Sequence, residues 1–473
     1  MWQLPPVAAS PPRALHATPH AAPSRALTTG GSPSCATAPW RGPAASVEGL
    51  AAAGLAAAGA AAGLVAAGAG VGRRRRRRRG AAGGYSACQH ARASRRLQRL
   101  ASGGRGSEEA PDRGFRILEW ASSALGGQRA LVGAARWGSR EAWRTMVREL
   151  APQSSRGEYV RPSSSLVAPE GTGPLQLRSG GYALYVGNTC PWCHRAQLAL
   201  VLRRPPEGAV ASTLLLDEPE RASRGGWAFD PSRGVSDPVF GAADLREVYD
   251  RAAGPVGGGG YVGRCTAPLL VDRRTKRAVS NDSVQIVRLL SGAKGGSGRQ
   301  VDLRPAHLAN SIDETTRWTY NLLSNAVYRA GFSTSQEAFE RAARDAASGL
   351  DRAEKLLAGQ RFLCGDRITE ADIMLLPCAA RFDAVYAFLF LRGSVGLLRE
   401  RPSLRRWLSE CWALPGVAGT VDVRACQESY YRTLFPLNPS QIMPCPSSNP
   451  DLLGPAEPMS QAEADALFHW TEG

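Results

Sequence analysis

The sequence predicts an α/β domain followed by an all-helical domain. Three observations support this fold class. An apolar strand pattern at 181–187 runs directly into Cys190-Pro191-Trp192-Cys193-His194 and an apolar helical pattern. Further strand patterns follow at 211–217, 267–272 and 277–281. Beyond residue 300 the patterns are helical. We therefore place the α/β domain at 175–295 and the helical domain at 301–435.

The first domain has the layout of a thioredoxin-like fold. Its predicted order is strand, helix (193–203), strand, an irregular insert, two strands and a helix (283–291). Pro268 falls inside the third strand pattern, where proline would remove a ladder hydrogen bond. Thioredoxin-like folds place a cis-proline at this position beside the active cysteine, and cis bonds of this kind are rare and usually functional.

The second domain is predicted from helical periodicity and caps. Residues 336–358 carry apolar side chains at amphipathic-helix spacing. Thr369-Glu370-Ala371-Asp372 is a capping-box variant before another apolar run, and 404–408 indicates a further helix. A thioredoxin-like domain followed by an all-helical domain is the architecture of glutathione transferases. Residues 436–473 are predicted to be a tail.

The N-terminal extension, residues 1–115, is predicted to be targeting and low-complexity sequence. Residues 1–47 are rich in Ala, Pro, Ser and Thr and lack acidic residues, as in a transit peptide. An apolar run at 49–72 precedes seven arginines; we interpret it as part of a removable presequence, with a membrane anchor or low-complexity sequence as the alternatives. We expect an organellar protein, with a plastid favoured over a mitochondrion and the cytoplasm as the alternative.

A lead-in segment, 116–174, connects this extension to the first domain. We predict that its apolar residues pack on the domain that follows. They are Trp120, Leu125, Trp137, Trp143, Met146 and Leu150.

Charge and composition exclude several function classes. The net charge is +17, yet residues 1–160 hold 23 of the 58 basic side chains and only 8 of the 41 acidic ones. The remainder is close to neutral, which argues against a nucleic-acid surface. Ten scattered cysteines do not indicate a disulfide scaffold, and six histidines make a metal enzyme improbable.

The Cys190–His194 motif predicts a reactive thiol. Cys190 stands at a helix N-terminus, where free N–H groups and the helix dipole favour a thiolate. The same five residues also form a c-type haem attachment motif, but nothing else in the sequence indicates haem. Zinc would need a second Cys/His pair. Two buried structural cysteines are the remaining alternative.

With these elements in place, the chain resembles the glutathionyl-hydroquinone reductases, the Xi class of glutathione transferases, and most of all their plant and algal branch. The resemblance covers about 149–444. The matching stretches include 159–162, 184–195, 223–227, 245–249, 263–272, 327–336, 381–386 and 413–417.

The resemblance implies a site and a reaction. Glutathione would be the co-substrate and a quinone-derived molecule its partner, in a homodimer without metal or haem. Cys190 would attack the sulfur of a glutathionyl-hydroquinone and carry glutathione as a mixed disulfide. The other implied residues are Trp227, Arg246, Ala267, Pro268, Asp282 and Ser283 for glutathione, and Tyr328 and Tyr386 for the hydroquinone oxygen and proton transfer.

The chain departs from the family pattern at four places. Ser324-Asn325-Ala326-Val327-Tyr328 stands where the family often has Asn-Asn-Gly-Val-Tyr. Asp282 stands where the family usually has Glu, and Cys193 where many members have Ala. Leu389-Phe390-Leu391 replaces His-Phe-Lys, which predicts a less polar pocket wall.

Three functions remain open at this point. The first is reduction of glutathionyl-hydroquinones through Cys190 alone. The second is a glutaredoxin-like or dehydroascorbate-reducing activity in which Cys193 is the resolving cysteine. The third is a non-catalytic binding module, in which the implied site residues are ordinary packing residues, helix charges and caps.

Overall fold

The computed structural model describes residues 128–169, 172–217, 226–254, 259–295, 299–434, 436–444 and 457–471. The predicted presequence, the apolar run at 49–72, Trp120 and Leu125 lie outside the described residues.

The first domain is built on one four-stranded sheet. Its strands are β1 (Tyr182–Gly187), β2 (Val210–Leu215), β3 (Leu269–Asp272) and β4 (Arg277–Ser280), in the order β2-β1-β3-β4. β1 runs parallel to β2 and antiparallel to β3, and β4 is antiparallel to β3. The four predicted strands are confirmed. Pro268 precedes β3 rather than lying within it, since proline cannot donate to the ladder. The Ala267–Pro268 bond is cis, as predicted.

Three helices complete this domain: α2 (Pro191–Arg203), α3 (Leu245–Ala253) and α4 (Ser283–Ser291). The prediction missed α3, which lies in the stretch that was expected to be an irregular insert. Pro191 occupies the first turn of α2, where the absent N–H costs nothing. Asp244 and Asp282 cap α3 and α4 by accepting backbone N–H groups. Because β1 is buried beyond its first residue, the turn after β1 starts from a fixed position at the centre of the sheet.

The second domain is helical, as predicted. Its helices are α5 (Ala309–Thr319), α6 (Ala326–Gly331), α7 (Gln336–Gly359), α8 (Glu370–Arg381), α9 (Pro402–Trp412) and α10 (Val423–Thr433). π-helical segments follow α5 and α8, at Tyr320–Ser324 and Phe382–Phe390. The predicted capping box is present: the Asp372 carboxylate accepts the Thr369 backbone N–H at 2.9 Å.

One apolar stretch of the described residues, Glu370–Phe390, is long enough to cross a bilayer. However, 83% of its most apolar window is buried inside the protein. Its apolar character therefore fits the core of the helical domain.

The lead-in segment and the tail both contact the helical core. α1 (Gln128–Leu150) contributes Val147, which is fully buried, and packs Trp143 against the core. The prediction was wrong for Trp137 and Leu150, which are 69% and 48% exposed, because only one narrow stripe of α1 faces the core. In the tail, α11 (Gln461–Asp465) precedes β6 (His469–Trp470), which pairs with β5 (Val301–Asp302).

A buried guanidinium joins the helical domain to the turn that follows β1. Arg381, at the end of α8, is fully buried. It donates to the Asn188 carbonyl at 2.7 Å, the Thr189 carbonyl at 3.2 Å and the Pro377 carbonyl at 3.0 Å. Among the described residues it forms no ion pair with a carboxylate. Its remaining contacts are with the Cys426 sulfur at 3.1 Å and a ring nitrogen of His194 at 3.0 Å, so the five donors of the guanidinium satisfy a buried charge without a carboxylate.

Replacing Arg381 by methionine should destabilise the full chain by at least about 3 kcal/mol, because each buried carbonyl left without a donor costs about 1–3 kcal/mol. Urea denaturation measures this free energy of unfolding. Arg405→Met, on an exposed arginine of α9, is the control and should change it by no more than about 0.5 kcal/mol. Equal effects of the two substitutions would contradict the structural role given to Arg381.

Candidate active site

Cys190 is the N-cap residue of α2 and stands at the junction of the two domains. Its backbone is extended, with φ −77° and ψ 115°, so the free N–H groups of the first helical turn surround its side chain. The residue is half-buried, and its Sγ lies 3.5 Å from the carbonyl oxygen of Ala267. The thiol therefore faces the backbone just before the cis-proline, as the sequence predicted.

The surroundings of Cys190 favour the thiolate. Burial raises the pKa of this thiol, whereas hydrogen bonds from the Cys193 thiol and N–H lower it. The Arg161 charge and the Trp192 N–H act in the same direction, and together they lower the pKa of Cys190 to about 7. A substantial fraction of the thiol is then ionised at neutral pH, as a sulfur nucleophile requires.

The pKa of Cys193 is shifted in the opposite direction to that of Cys190. It is completely buried, and burial together with the neighbouring Cys190 raises its pKa well above the usual value. Cys193 therefore stays protonated and can donate a hydrogen bond to the Cys190 thiolate. Both cysteines are present as free thiols.

His194 supports the turn and takes no direct part in thiol chemistry. It is fully buried; its Nδ1 lies 3.0 Å from Arg381 Nη1 and its Nε2 lies 2.7 Å from Thr420 Oγ1. Because a guanidinium only donates, Nδ1 is the acceptor and Nε2 carries the proton. Burial, followed by the Arg381 charge, lowers the pKa of His194 well below its usual value, so the ring is neutral.

A cavity of about 910 Å³ opens beside the cis-proline. Of the predicted glutathione residues, Ala267, Pro268, Asp282 and Ser283 line it. Asp282 accepts the Gln285 N–H through Oδ1 at 2.8 Å and the Ser164 hydroxyl through Oδ2 at 2.9 Å. Its carboxylate thus sits at the N-terminus of α4, next to Ser283 and the unpaired N–H groups of that turn.

Trp227 and Arg246 do not line this cavity. The Trp227 ring covers Gly187, where an added Cβ would lie 2.0 Å from the ring, so only glycine allows this contact. Arg246 pairs with Asp250 at 3.2 Å and also donates to the carbonyls of Tyr261 and Gly263. Its predicted role toward a glutathione carboxylate stays a prediction.

The two predicted tyrosines meet in a buried cluster of three hydroxyls. Tyr328 Oη lies 2.5 Å from Tyr430 Oη and 3.4 Å from Tyr386 Oη. Burial raises the pKa of all three, so they remain protonated at neutral pH. For Tyr328, the charge of Cys190 is the second cause of the raised pKa, after burial. Each hydroxyl can therefore donate a hydrogen bond to an oxygen.

The Leu389-Phe390-Leu391 stretch lies beside the tyrosine cluster. All three residues are buried in the helical core and do not line the cavity, and neither do Tyr328 and Tyr386, so the less polar pocket wall stays a prediction. The Phe390 ring packs on the rings of the hydroxyl cluster, at 5.3 Å from both Tyr328 and Tyr386. Phe390 therefore supports the positions of the two tyrosine rings by packing against them.

Three functional residues were not assigned from sequence. They are Arg161, Arg381 and Tyr430. Arg381 had a usable signal, since it is an arginine inside the long apolar stretch of α8, where a charge needs partners. Tyr430 had none. Among the described residues, no group of three His, Cys, Asp or Glu could hold a metal ion.

The fold and this site define an enzyme of the glutathione transferase superfamily with a cysteine at its centre. The model of the glutathione S-transferase C-terminal domain matches residues 336–410. The chain is 35% identical over 322 residues to the glutathionyl-hydroquinone reductase PcpF of Sphingobium chlorophenolicum, covering 68% of this chain and 95% of that protein. It is 33% identical to the glutathionyl-hydroquinone reductase YqjG of Escherichia coli, over 62% of this chain and 89% of that one.

Solved structures agree with these relatives. The Xi glutathione transferase of Phanerochaete chrysosporium superposes with a TM-score of 0.54 at 31% identity, covering 63% of this chain and 95% of its own. Glutathione-bound YqjG superposes with the same TM-score at 30% identity, over 64% and 98% of the two chains. The chain belongs to the glutathionyl-hydroquinone reductases, the Xi class of glutathione transferases.

Removing the Cys193 thiol should raise the pKa of Cys190 above about 7, because the thiolate loses a hydrogen-bond donor. Cys193→Ala and Cys193→Ser form a matched pair, since the serine hydroxyl keeps a donor at the same place. The pH dependence of thiolate absorbance or alkylation rate measures the pKa. We expect a rise of about one unit in the alanine variant and a smaller one in the serine variant. An unchanged alanine variant would show that Cys193 does not stabilise the thiolate.

Proposed function

We propose that this protein removes glutathione from glutathionyl-hydroquinones by covalent catalysis at Cys190. The observation that carries the proposal is the half-buried Cys190 thiol with a pKa of about 7, at a helix N-terminus beside the backbone of Ala267. The named reductase activity of PcpF and YqjG supports this reaction over other thiol transfers.

Glutathione would lie along the backbone before Pro268. In this position its cysteinyl part would pair with Ala267 as a short strand, which brings its sulfur next to Cys190 Sγ. Its γ-glutamyl end would reach Asp282 and Ser283, at the N-terminus of α4. The amine of that end would compete with the Ser164 hydroxyl for Asp282 Oδ2. Trp227 and Arg246 would serve the glycyl end, Arg246 by exchanging an internal carbonyl for a carboxylate.

The first half-reaction breaks a carbon–sulfur bond. The Cys190 thiolate attacks the glutathione sulfur of the conjugate, and a disulfide forms between them. The electron pair of the broken bond stays on the ring carbon, which takes up a proton, so the ring leaves as hydroquinone. Tyr328 and Tyr386, together with Tyr430, would donate hydrogen bonds to the ring oxygen and assist this proton movement.

The second half-reaction restores the enzyme. The thiolate of a second glutathione attacks the glutathione sulfur held on Cys190, and oxidised glutathione leaves. Cys190 departs as a thiolate, and its lowered pKa makes it the better leaving group. In total, two glutathione sulfurs are oxidised to a disulfide and one ring carbon is reduced.

A dithiol cycle is the second candidate function. The direct hydrogen bond between Cys193 and Cys190 is the observation that favours it, since attack by Cys193 on the mixed disulfide would give a Cys190–Cys193 disulfide. Its complete burial and its raised pKa weigh against it, because the attacking species is the thiolate.

Cysteine variants separate the two cycles. In steady-state assays with glutathionyl-menadiol, Cys190→Ala should lose at least about 10³-fold in turnover because it lacks the nucleophile. Cys193→Ala should keep activity within about threefold when assayed above the pKa of Cys190. Parallel assays with dehydroascorbate and hydroxyethyl disulfide should give lower kcat/KM. Loss of turnover in both variants, with dehydroascorbate as the better substrate, would favour the dithiol cycle instead.

A further inference from the structure

The cavity beside Cys190 is richer in positive charge than glutathione alone explains. Its lining contains five arginines and two aspartates. Some of these charges have internal partners. Arg288 pairs with Asp313 at 2.6 Å and with Glu370 at 2.9 Å, and Arg195 donates to the Met374 carbonyl at 2.8 Å. These two arginines hold the domains together.

Arg161 is different from them. Its guanidinium lies over the Trp192 ring, 3.9 Å from the ring centroid, in the lead-in segment that borders the cavity. No carboxylate of the described residues forms an ion pair with it. The Trp192 ring, which also lies 4.5 Å from the Arg195 guanidinium, holds the Arg161 guanidinium in the cavity wall. Arg161 also interacts with the Tyr159 hydroxyl, and with five N–H donors it keeps others for a planar, charged partner.

Arg161 is linked to the tyrosine cluster through the ring of Trp192. The Trp192 ring on which it lies is also 5.9 Å from the Tyr320 ring and 6.0 Å from the Tyr328 ring. Tyr159, Trp192 and Tyr320 all line the cavity and form aromatic walls. The Arg161 charge also lowers the pKa of both Cys190 and Tyr328, in agreement with this link through Trp192. Asp282 and Ser283, which would hold the γ-glutamyl end, line the same cavity at the start of α4, and Ser164 of the lead-in segment donates to Asp282 at 2.9 Å.

We propose that Arg161 binds an anionic substituent on the aromatic ring of the substrate, so that the enzyme prefers glutathionyl-hydroquinones whose ring carries a carboxylate. This inference rests on the proposed function. The aromatic walls hold the ring by stacking, while the guanidinium binds the carboxylate through two parallel hydrogen bonds in a site partly shielded from water. Arg161 is thus the residue that determines specificity for the acceptor.

Glutathione itself carries carboxylates, and these are the other anionic groups that Arg161 can bind. The two sources are distinguished by a matched pair of substrates. Both are glutathionyl conjugates of one hydroquinone ring, and they differ only in a methyl or a carboxylate at the same ring position. Every glutathione contact is common to the pair, so the ratio of their kcat/KM values reports on the ring substituent alone.

In the wild-type protein we expect kcat/KM for the carboxylate conjugate to exceed that for the methyl conjugate by about tenfold or more. Arg161→Gln should lower kcat/KM for the carboxylate conjugate by about 10–100-fold, the range for a lost hydrogen bond to a charged group. It should lower kcat/KM for the methyl conjugate less than about fivefold. Arg161→Lys should keep part of the preference, because the charge remains but the fork is lost.

Arg317→Gln is the matched control. Arg317 lines the same cavity but is exposed, so solvent screens its charge, and the ratio should change less than about twofold. An equal fall for both substrates in Arg161→Gln would overturn the inference, since it would place Arg161 on glutathione or on the thiolate. A wild-type protein that turns over both conjugates without preference would also overturn it. If the wild type turns over neither conjugate, the proposed function fails instead.

Discussion

The active-site turn of this protein depends on one buried cation from the other domain. The side chain of Arg381, at the end of α8, donates hydrogen bonds to the carbonyls of Asn188 and Thr189, the two residues before Cys190. It also fixes the neutral tautomer of His194 on the following helix. The peptide groups around the nucleophile are therefore oriented by contacts about 190 positions away in sequence.

The same arrangement explains why the thiolate is stabilised by dipoles more than by charges. With its carbonyls turned toward Arg381, the turn presents N–H groups to Cys190, and the Cys193 thiol adds a second kind of donor. Arg161 is the cation among the main causes that lower the pKa of Cys190. Because it reaches the site from the lead-in segment, the segment before the first domain is part of the active site.

The sequence determined the thioredoxin-like half with little ambiguity. Alternating and buried apolar runs, Pro191 and Pro268 are local signals, and the strands, the cis bond and the helix starts followed from them. Exposure along α1 was not predictable from its tryptophans, since only the packed fold decides which stripe of a helix meets the core. Tyr430 joins Tyr328 across 102 positions, and no local pattern encodes such a contact. Site residues implied by family resemblance, such as Arg246, require a bound ligand to be tested.

The central claim is that Cys190 alone carries glutathione between the two half-reactions. A single turnover without free glutathione tests it most directly. The protein is mixed with an excess of glutathionyl-hydroquinone, quenched with acid and analysed by peptide mass spectrometry while the released hydroquinone is quantified. We expect one glutathione on the Cys190 peptide for each hydroquinone released, with Cys193 a free thiol. Hydroquinone release accompanied by a Cys190–Cys193 disulfide, or by no adduct on Cys190, would contradict it.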